Sequence, residues 1–470
     1  MKRNYLSFLF SAILIVFALG SCIEDGFTTS PSDQPVFSTD TLDMGVIFTE
    51  QASTTHRFTV YNRADKSLNI SHISLSGENA GYFRLNVDGF SGKSFDNVEI
   101  RANDSIIVFV ETTLPANGGN LPVQIDASLD FLTNGVSRSV IIAASGRDVT
   151  RLYAHTVTES TTLSADKPYQ IFDSLVVAPG AVLTIPAGAE LFFHDKASMI
   201  VHGTLIARGE CGNEITMSGD RTGNVAADIS FDIMSRQWDG LHFTPSSTAN
   251  ELSYVHLCNT TNGVTVTGPE ESDLSEADYT LLLINSRLRN SGNYALEVHN
   301  ANLSAYGTEI AEAASGALLL DGGSHIINHC TLTNYYLFSA LQGPILQFTE
   351  DDNETPTPAA EISNTIIYGL GRDISHGDLT GTDIYLRSCL LKSAGDDDDN
   401  FIECLWDTDP MFYTVRQDYF FDYRIQPESA AIGAANPALT APQSASDRYG
   451  LPRGAAPDLG AYVFNPDLQQ

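Results

Sequence analysis

Positive charge is the first thing this chain lacks. Its 470 residues carry 25 Lys and Arg against 58 Asp and Glu, a formal charge of −33. A field of that sign repels phosphate backbones and excludes a nucleic-acid-binding protein. It also argues against an acidic polysaccharide as ligand, unless calcium bridges the two. Cysteine is sparse and scattered: beyond Cys22 stand Cys211, Cys258, Cys330, Cys389 and Cys404, with no C-x-x-C pair. Such spacing gives no zinc site. The thiols read as small buried hydrophobes, and five of them allow at most two disulfides. H-E-x-x-H and G-x-S-x-G are both absent, which removes the hydrolytic mechanisms built on them. Helical periodicity is missing too, so an α-rich fold is excluded. What remains is 43% hydrophobic and 18% charged residues, a composition that folds, in a chain long enough for two or more domains.

The one long apolar run, Tyr5 to Leu19, follows Lys2 and Arg3. It is shorter than the roughly 20 residues a membrane-spanning helix needs and reads as a secretion signal. Its end, Leu19-Gly20-Ser21-Cys22, resembles the lipobox of bacterial lipoproteins. That resemblance implies removal of residues 1–21, diacylglycerol on the Cys22 sulfur and a fatty acyl chain such as palmitate on its amine. Two or three acyl chains give stable membrane anchoring. Ile23-Glu24-Asp25-Gly26 resembles the export signal of Bacteroidetes surface lipoproteins, implying the outer face of the outer membrane. Residues 22–34 are rich in Ser, Thr, Pro and Asp and form a tether after the lipidated cysteine.

From 35 to 149 the chain alternates short strand-like runs with turn residues, as in Arg57-Phe58-Thr59-Val60-Tyr61 and Ser105 to Glu111. Period-two alternation broken every ten or so residues predicts an antiparallel sandwich. Leu42-Asp43-Met44-Gly45, Val60-Tyr61-Asn62, Leu68-Asn69-Ile70, Tyr82-Phe83 and Leu132-Thr133-Asn134-Gly135 resemble the immunoglobulin-like domain of the ASPM/SPD-2/Hydin type. Such domains act as spacers or adhesive modules.

Residues 150–408 have a different texture: brief apolar strands separated by glycine-bearing corners. Six segments superimpose: Tyr254-Val255-His256-Leu257, Asn285-Ser286-Arg287-Leu288, Gly307-Thr308-Glu309-Ile310, His329-Cys330-Thr331-Leu332, Asn364-Thr365-Ile366-Ile367 and Ser388-Cys389-Leu390-Leu391. Steps of 31, 22, 22, 35 and 24 residues give a base period near 22 with longer insertions. The second column is small or β-branched and the fourth aliphatic, so both are expected to point inward. Two places after the fourth column come Asn259, Asn290 and Asn334, expected to form an amide ladder at left-handed corners. The region resembles the right-handed parallel β-helix family, with Gln237-Trp238-Asp239-Gly240-Leu241-His242-Phe243 matching its W-x-G-[IL]-x-F strand. Asp409-Pro410-Met411-Phe412, Asp422-Tyr423-Arg424-Ile425 and Asp458-Leu459-Gly460-Ala461-Tyr462 resemble the choice-of-anchor Q tail, with Ala430 and Gly433 departing from its pattern. Residues 409–470 are therefore expected to cap the open end of the coil. The expected fold is all-β: an immunoglobulin-like β-sandwich, then a right-handed parallel β-helix with a C-terminal cap.

The β-helix resemblance implies glycan chemistry, by binding or by cleavage. A lyase needs a basic residue beside a uronate, yet Arg236, Arg287, Arg289, Arg372, Arg387 and Lys392 are scattered through the coil. Arg287 and Arg289 have outward parity and read as solvated. A hydrolase needs carboxylates on adjacent turns; Asp321, Asp373 and His376 are the candidate catalytic residues. Tyr335, Tyr336 and Phe338 are candidates for stacking on sugars. Acidic runs around Asp351 and Asp352, and around Asp396 and Asp398, are candidate calcium ligands, though neither has the spacing of an EF-hand. The reading is a non-enzymatic surface lipoprotein that binds glycan or another surface molecule; the alternatives are a polysaccharide lyase or glycoside hydrolase and a structural spacer.

Overall fold

The computed structural model describes residues 26–226, 229–269, 279–351 and 357–468. Residues 1–21, Cys22 and Asp352 lie outside the described residues. The chain divides into two compact units, Met1–Asp148 and Val149–Gln470. Among the described residues all regular structure is β apart from short 3-10 turns.

The first unit has two five-stranded sheets. One contains, in order, Val36–Phe37, His56–Tyr61, Ser105–Thr112, Phe83–Val87 and Phe90–Gly92. The other contains Thr41–Phe48, Val136–Arg147, Val123–Thr133, Leu68–Ser76 and Ser94–Ile100. Alternation decides which face is inward: Ile106, Val108 and Val110 on one strand meet Leu129, Phe131 and Ile142 in a shared core. Asn134 and Gly135, both at positive φ, make the tight hairpin that an Asn-Gly pair favours. Asn62 is a buried staple, its amide donating to the carbonyls of Lys66, Ile100 and Arg101 and accepting from Ala64 N. One pairing departs from the expected antiparallel pattern. Thr41–Phe48 runs parallel to Val136–Arg147, with a bulge where Gly45 sits at φ +70.

The second unit is a parallel β-helix. Ten strands, from Thr161–Thr162 to Phe401–Ile402, stack in one parallel sheet, and seventeen more from Thr150–Val157 to Leu390–Leu391 form a second continuous ladder. The repeat columns are in register. Leu257, Leu288, Ile310, Leu332, Ile367 and Leu391 pair turn to turn and are all buried. Each side chain taken out of water contributes roughly 1.5–3 kcal/mol. The second column is also buried, and its hydroxyls and thiols bond the corner. Ser286, Thr308 and Thr365 each donate to the carbonyl two residues back. The first column carries the corner itself: Tyr254, Asn285, Gly307, His329, Asn364 and Ser388 all have φ between 47 and 56. Trp238 is fully buried and stacked on Phe193 at 4.0 Å, while a Cβ on Gly240 would lie 2.4 Å from the Gly263 carbonyl oxygen.

The expected asparagine ladder is not formed. Glu312 occupies the rung between Asn290 and Asn334; Asn259, Asn290 and Glu312 have positive φ and Asn334 does not. The first two amides instead hold the 231–234 segment, Asn259 donating to the carbonyls of Asp232 and Met234, and Asn290 to that of Asp232. Carbonyls of an irregular segment need donors, and these amides lie within reach.

The tail lies along the flank of the coil and not over its open end. Phe412–Thr414 and Asp422–Ile425 form a hairpin, and Phe412, Phe421, Tyr423, Leu459 and Tyr462 pack on Ala311, Ile366 and Leu390, which come from three different turns. At the coil's end, Phe401, Cys404 and Trp406 join the coil core. The tail also corrects the reading of Arg287 and Arg289. Their parity is outward, but the tail covers that face. Arg289 donates to the fully buried Glu309, its guanidinium 5.3 Å from the Tyr423 ring centroid, and Tyr462 donates to the same carboxylate. Arg448, from the tail, reaches Glu214, which also faces Arg287 at 3.8 Å. Burial works to raise Glu309, yet the Arg289 guanidinium holds it below its ordinary range. Glu312 feels Arg289 without a hydrogen bond from it, and burial pushes it up to about 7 although Tyr423 donates to it.

Candidate functional site

A polar array occupies one outer face of the coil. The strands Gly240–Phe243, Val264–Thr267, Tyr294–His299, Gly316–Asp321 and Leu346–Phe348 lie side by side. Their inward positions are aliphatic or Phe, so the alternate positions face out. One outward row runs His242, Thr265, Glu297, Leu319, Gln347; the next runs Thr267, His299, Asp321. Neighbouring members are about one strand spacing apart, ~4.8 Å.

His299 is the hub. Its Nδ1 lies 2.9 Å from Asp321 Oδ2 and its Nε2 3.4 Å from Glu297 Oε2. Bonding to Glu297, then to Asp321, raises it from 6.5 to about 9 against the opposing effect of burial. At neutral pH it is an imidazolium between two carboxylates. Glu297 also accepts from Asn293 Nδ2 at 2.6 Å, and Asn293 accepts from Ser315 Oγ at 2.7 Å. Two turns away His242 bonds Asp239 and Thr265, both at 2.8 Å, and Asn262 donates to Asp239 at 2.8 Å. Tyr294 donates to Gln347, its ring lying over Gly316, where a Cβ would come within 2.4 Å of it. The side chains of His299 and Asp321 are each 35% exposed, so the array is open to a ligand while its geometry is held by neighbours.

Of the sequence candidates, Asp321 falls in this array. Asp373, His376, Asp396 and Asp398 gather elsewhere, around a pocket of about 240 Å³ at the end of the coil with Phe401 and Trp406. Asp373 is buried and accepts from Ser393 and from Ile374 N, so it braces the last turns. Asp398 accepts from the backbone of Asn400 and Phe401. Asp351 is exposed. Among the described residues, no group of three or more His, Cys, Asp or Glu is placed to hold a metal ion. Tyr335 stacks against Tyr423, and Tyr336 is buried with its hydroxyl 2.6 Å from Ser235 Oγ. Of the three aromatics only Phe338 is exposed.

Sequence reasoning missed Glu297, His299, Asp239 and His242. The signal was present, since His299 and Asp321 are 22 residues apart, the base period of the repeat. It also missed an aromatic ladder on the first turns, where Tyr153, Phe172 and His194 stack with centroids 4.7 Å apart at each step and Tyr153 is 64% exposed.

No protein-family model and no curated protein matches the chain. Solved structures similar to it include a protein of unknown function from Porphyromonas gingivalis, at 15% identity over 25% of this chain and 49% of that one, TM-score 0.19. This chain thus spans about half the length of that protein. The ASH/PapD-like domain 7 of human CEP192 is similar over 26% of this chain and 89% of that one, at 8% identity and TM-score 0.18. The catalytic unit of a GH87 α-1,3-glucanase from Streptomyces thermodiastaticus is similar over 71% of this chain and 79% of that one, at 9% identity and TM-score 0.25. At these identities and TM-scores no likeness assigns the chain to a family.

Proposed function

We propose that the coil binds a neutral glycan along the face carrying Glu297, His299 and Asp321, without cleaving it. The observation that supports this most is the open polar array, in which each carboxylate is oriented by a side-chain donor and retains lone pairs for sugar hydroxyls. The same bonding weighs against hydrolysis. A glycosidase needs two carboxyl groups free to act on the scissile bond, whereas Glu297 and Asp321 are both engaged with the same imidazole. The net charge of −33 favours an uncharged ligand over an anionic one. In this reading Cys22 carries the lipid and the protein faces outward from the outer membrane; the expected tether is shorter than residues 22–34, because Phe27 bridges to Ser67, Thr28 is buried and Asn134 donates to the Ser30 and Asp33 carbonyls.

The test is retention of the chain on a panel of neutral glycans, with and without calcium, alongside assays for new reducing or unsaturated ends. Retention that weakens at least tenfold in Glu297→Gln and Asp321→Asn, but not in Asp373→Asn, is the expected result. New chain ends would refute the non-enzymatic reading. Retention unaffected by the first two substitutions would remove the site.

A further inference from the structure

The second repeat column ends in two thiols. Its members are Val255, Ser286, Thr308, Cys330, Thr365 and Cys389, and the turn after Cys389 supplies Cys404. Leu390 and Leu405 form a parallel bridge, Leu405 N donates to the Cys389 carbonyl at 2.8 Å, and Leu391 N donates to the Leu405 carbonyl at 2.8 Å. Cys389 and Cys404 are therefore direct cross-strand neighbours with side chains on the same inward face. Parallel neighbours lie about 4.8 Å apart, inside the Cα separation of roughly 4.4–6.8 Å that a disulfide spans. Cys330 is two rungs from Cys389, with Thr365 between them.

We infer that Cys389 and Cys404 are the partners of a disulfide that pins the last turn of the coil. The position fits the need. Phe401–Ile402 is the final strand of the ten-stranded sheet and, among the described residues, pairs with Ile384–Arg387 alone, so its outer edge carries no further described turn. Nothing strong is given up on oxidation, because the thiols make only weak bonds. Cys404 Sγ lies 3.4 Å from the Leu386 carbonyl, and Cys389 Sγ lies 3.5 Å from those of Ile362 and Arg387.

The chemistry has a direction. The Cys389 thiol beside it holds Cys404 below the ordinary thiol range, while burial pushes Cys389 well above it. Cys404 is also the more accessible of the two. Its thiolate attacks a small-molecule or protein disulfide, forming a mixed disulfide and expelling one thiolate. Cys389, on losing its proton, attacks the Cys404 sulfur and expels the second. Two protein thiols are oxidised, one donor disulfide is reduced to two thiols, and the two protons pass to the leaving thiolates.

The full chain, incubated with oxidised glutathione at pH 8, then alkylated and digested with trypsin without reductant, gives the test. Cleavage after Arg387, Lys392 and Arg416 places Cys389 in peptide 388–392 and Cys404 in peptide 393–416. The expected result is these two peptides joined, 2 Da below the sum of their thiol forms, and separated by dithiothreitol. Cys404→Ser should abolish the joined species and leave Cys389 alkylated after denaturation. A Cys404 that stops at the glutathione adduct, or that joins Cys211 or Cys330 instead, would overturn the assignment. So would full alkylation of both peptides after exposure to the oxidant.

Discussion

Replacing Glu312 with glutamine should make the 149–470 unit more stable at alkaline pH and change it little at acid pH. Glu312 is fully buried; Tyr423 and the backbone of Tyr335 donate to its Oε1, and no described residue reaches Oε2. Burial raises it from 4.5 to about 7. A carboxyl whose folded value is raised binds its proton more tightly in the folded state. Its contribution is fully present below pH 4.5 and is lost as pH rises through 7. The difference corresponds to roughly 3 kcal/mol at 1.36 kcal/mol per unit. Glutamine keeps the acceptor facing Tyr423 and carries no charge to desolvate. Both tryptophans, Trp238 and Trp406, lie in this unit, so urea unfolding followed by their fluorescence reports on it. At pH 5 the two proteins should agree within about 1 kcal/mol, since the protonated acid and the amide each leave one polar group unpartnered. At pH 8.5 the variant should be ahead by roughly 3 kcal/mol. Titrations elsewhere cancel in the comparison. Identical pH dependence in the two proteins would refute the reasoning.

Two further outcomes follow from the charged groups. Arg289→Met strands the buried Glu309 carboxylate and should cost about 3–5 kcal/mol at pH 7, while adding Glu309→Gln should recover much of that, because the uncompensated charge and not the lost pair carries the penalty; urea midpoints for the two singles and the double decide it, and additive losses would contradict it. His299 should titrate near 9 by NMR and move toward 6.5 in Glu297→Gln, its stabilising contribution being complete below pH 6.5 and lost as pH rises through 9; an imidazole titrating at its ordinary value in the parent protein would count against the array as drawn.

The inward columns were legible in the sequence because burial leaves a chemical trace. Six aliphatics recurring near a 22-residue period can be recognised without knowing where the strands run. The corner column was not legible, since Tyr254, Asn285, Gly307, His329, Asn364 and Ser388 share a backbone conformation and no side-chain property. Outward parity was read correctly for Arg287 and Arg289, but their environment was not. The segment that covers them arrives more than a hundred residues later, as Phe421 and Tyr423. The array around His299 lay within reach of the repeat, whose period pairs it with Asp321. Glu297 was harder, because its role depends on an imidazole two residues along the strand and an amide four residues back. Asp373 was selected for being acidic inside the coil, and that same burial commits it to bracing Ser393.

A coil built of stacked turns can grow from one end, each turn needing only the one before it. The flank-lying tail changes that, because it joins positions from Glu214 to Leu390 and follows all of them in the sequence. Until it docks, Ala311, Ile366 and Leu390 form an uncovered apolar strip beside Glu309 and Arg289. A chain cut between Trp406 and Phe412 would hold a formed coil with that strip bare and prone to self-association. Solubility would then report whether residues 409–468 have docked on the coil.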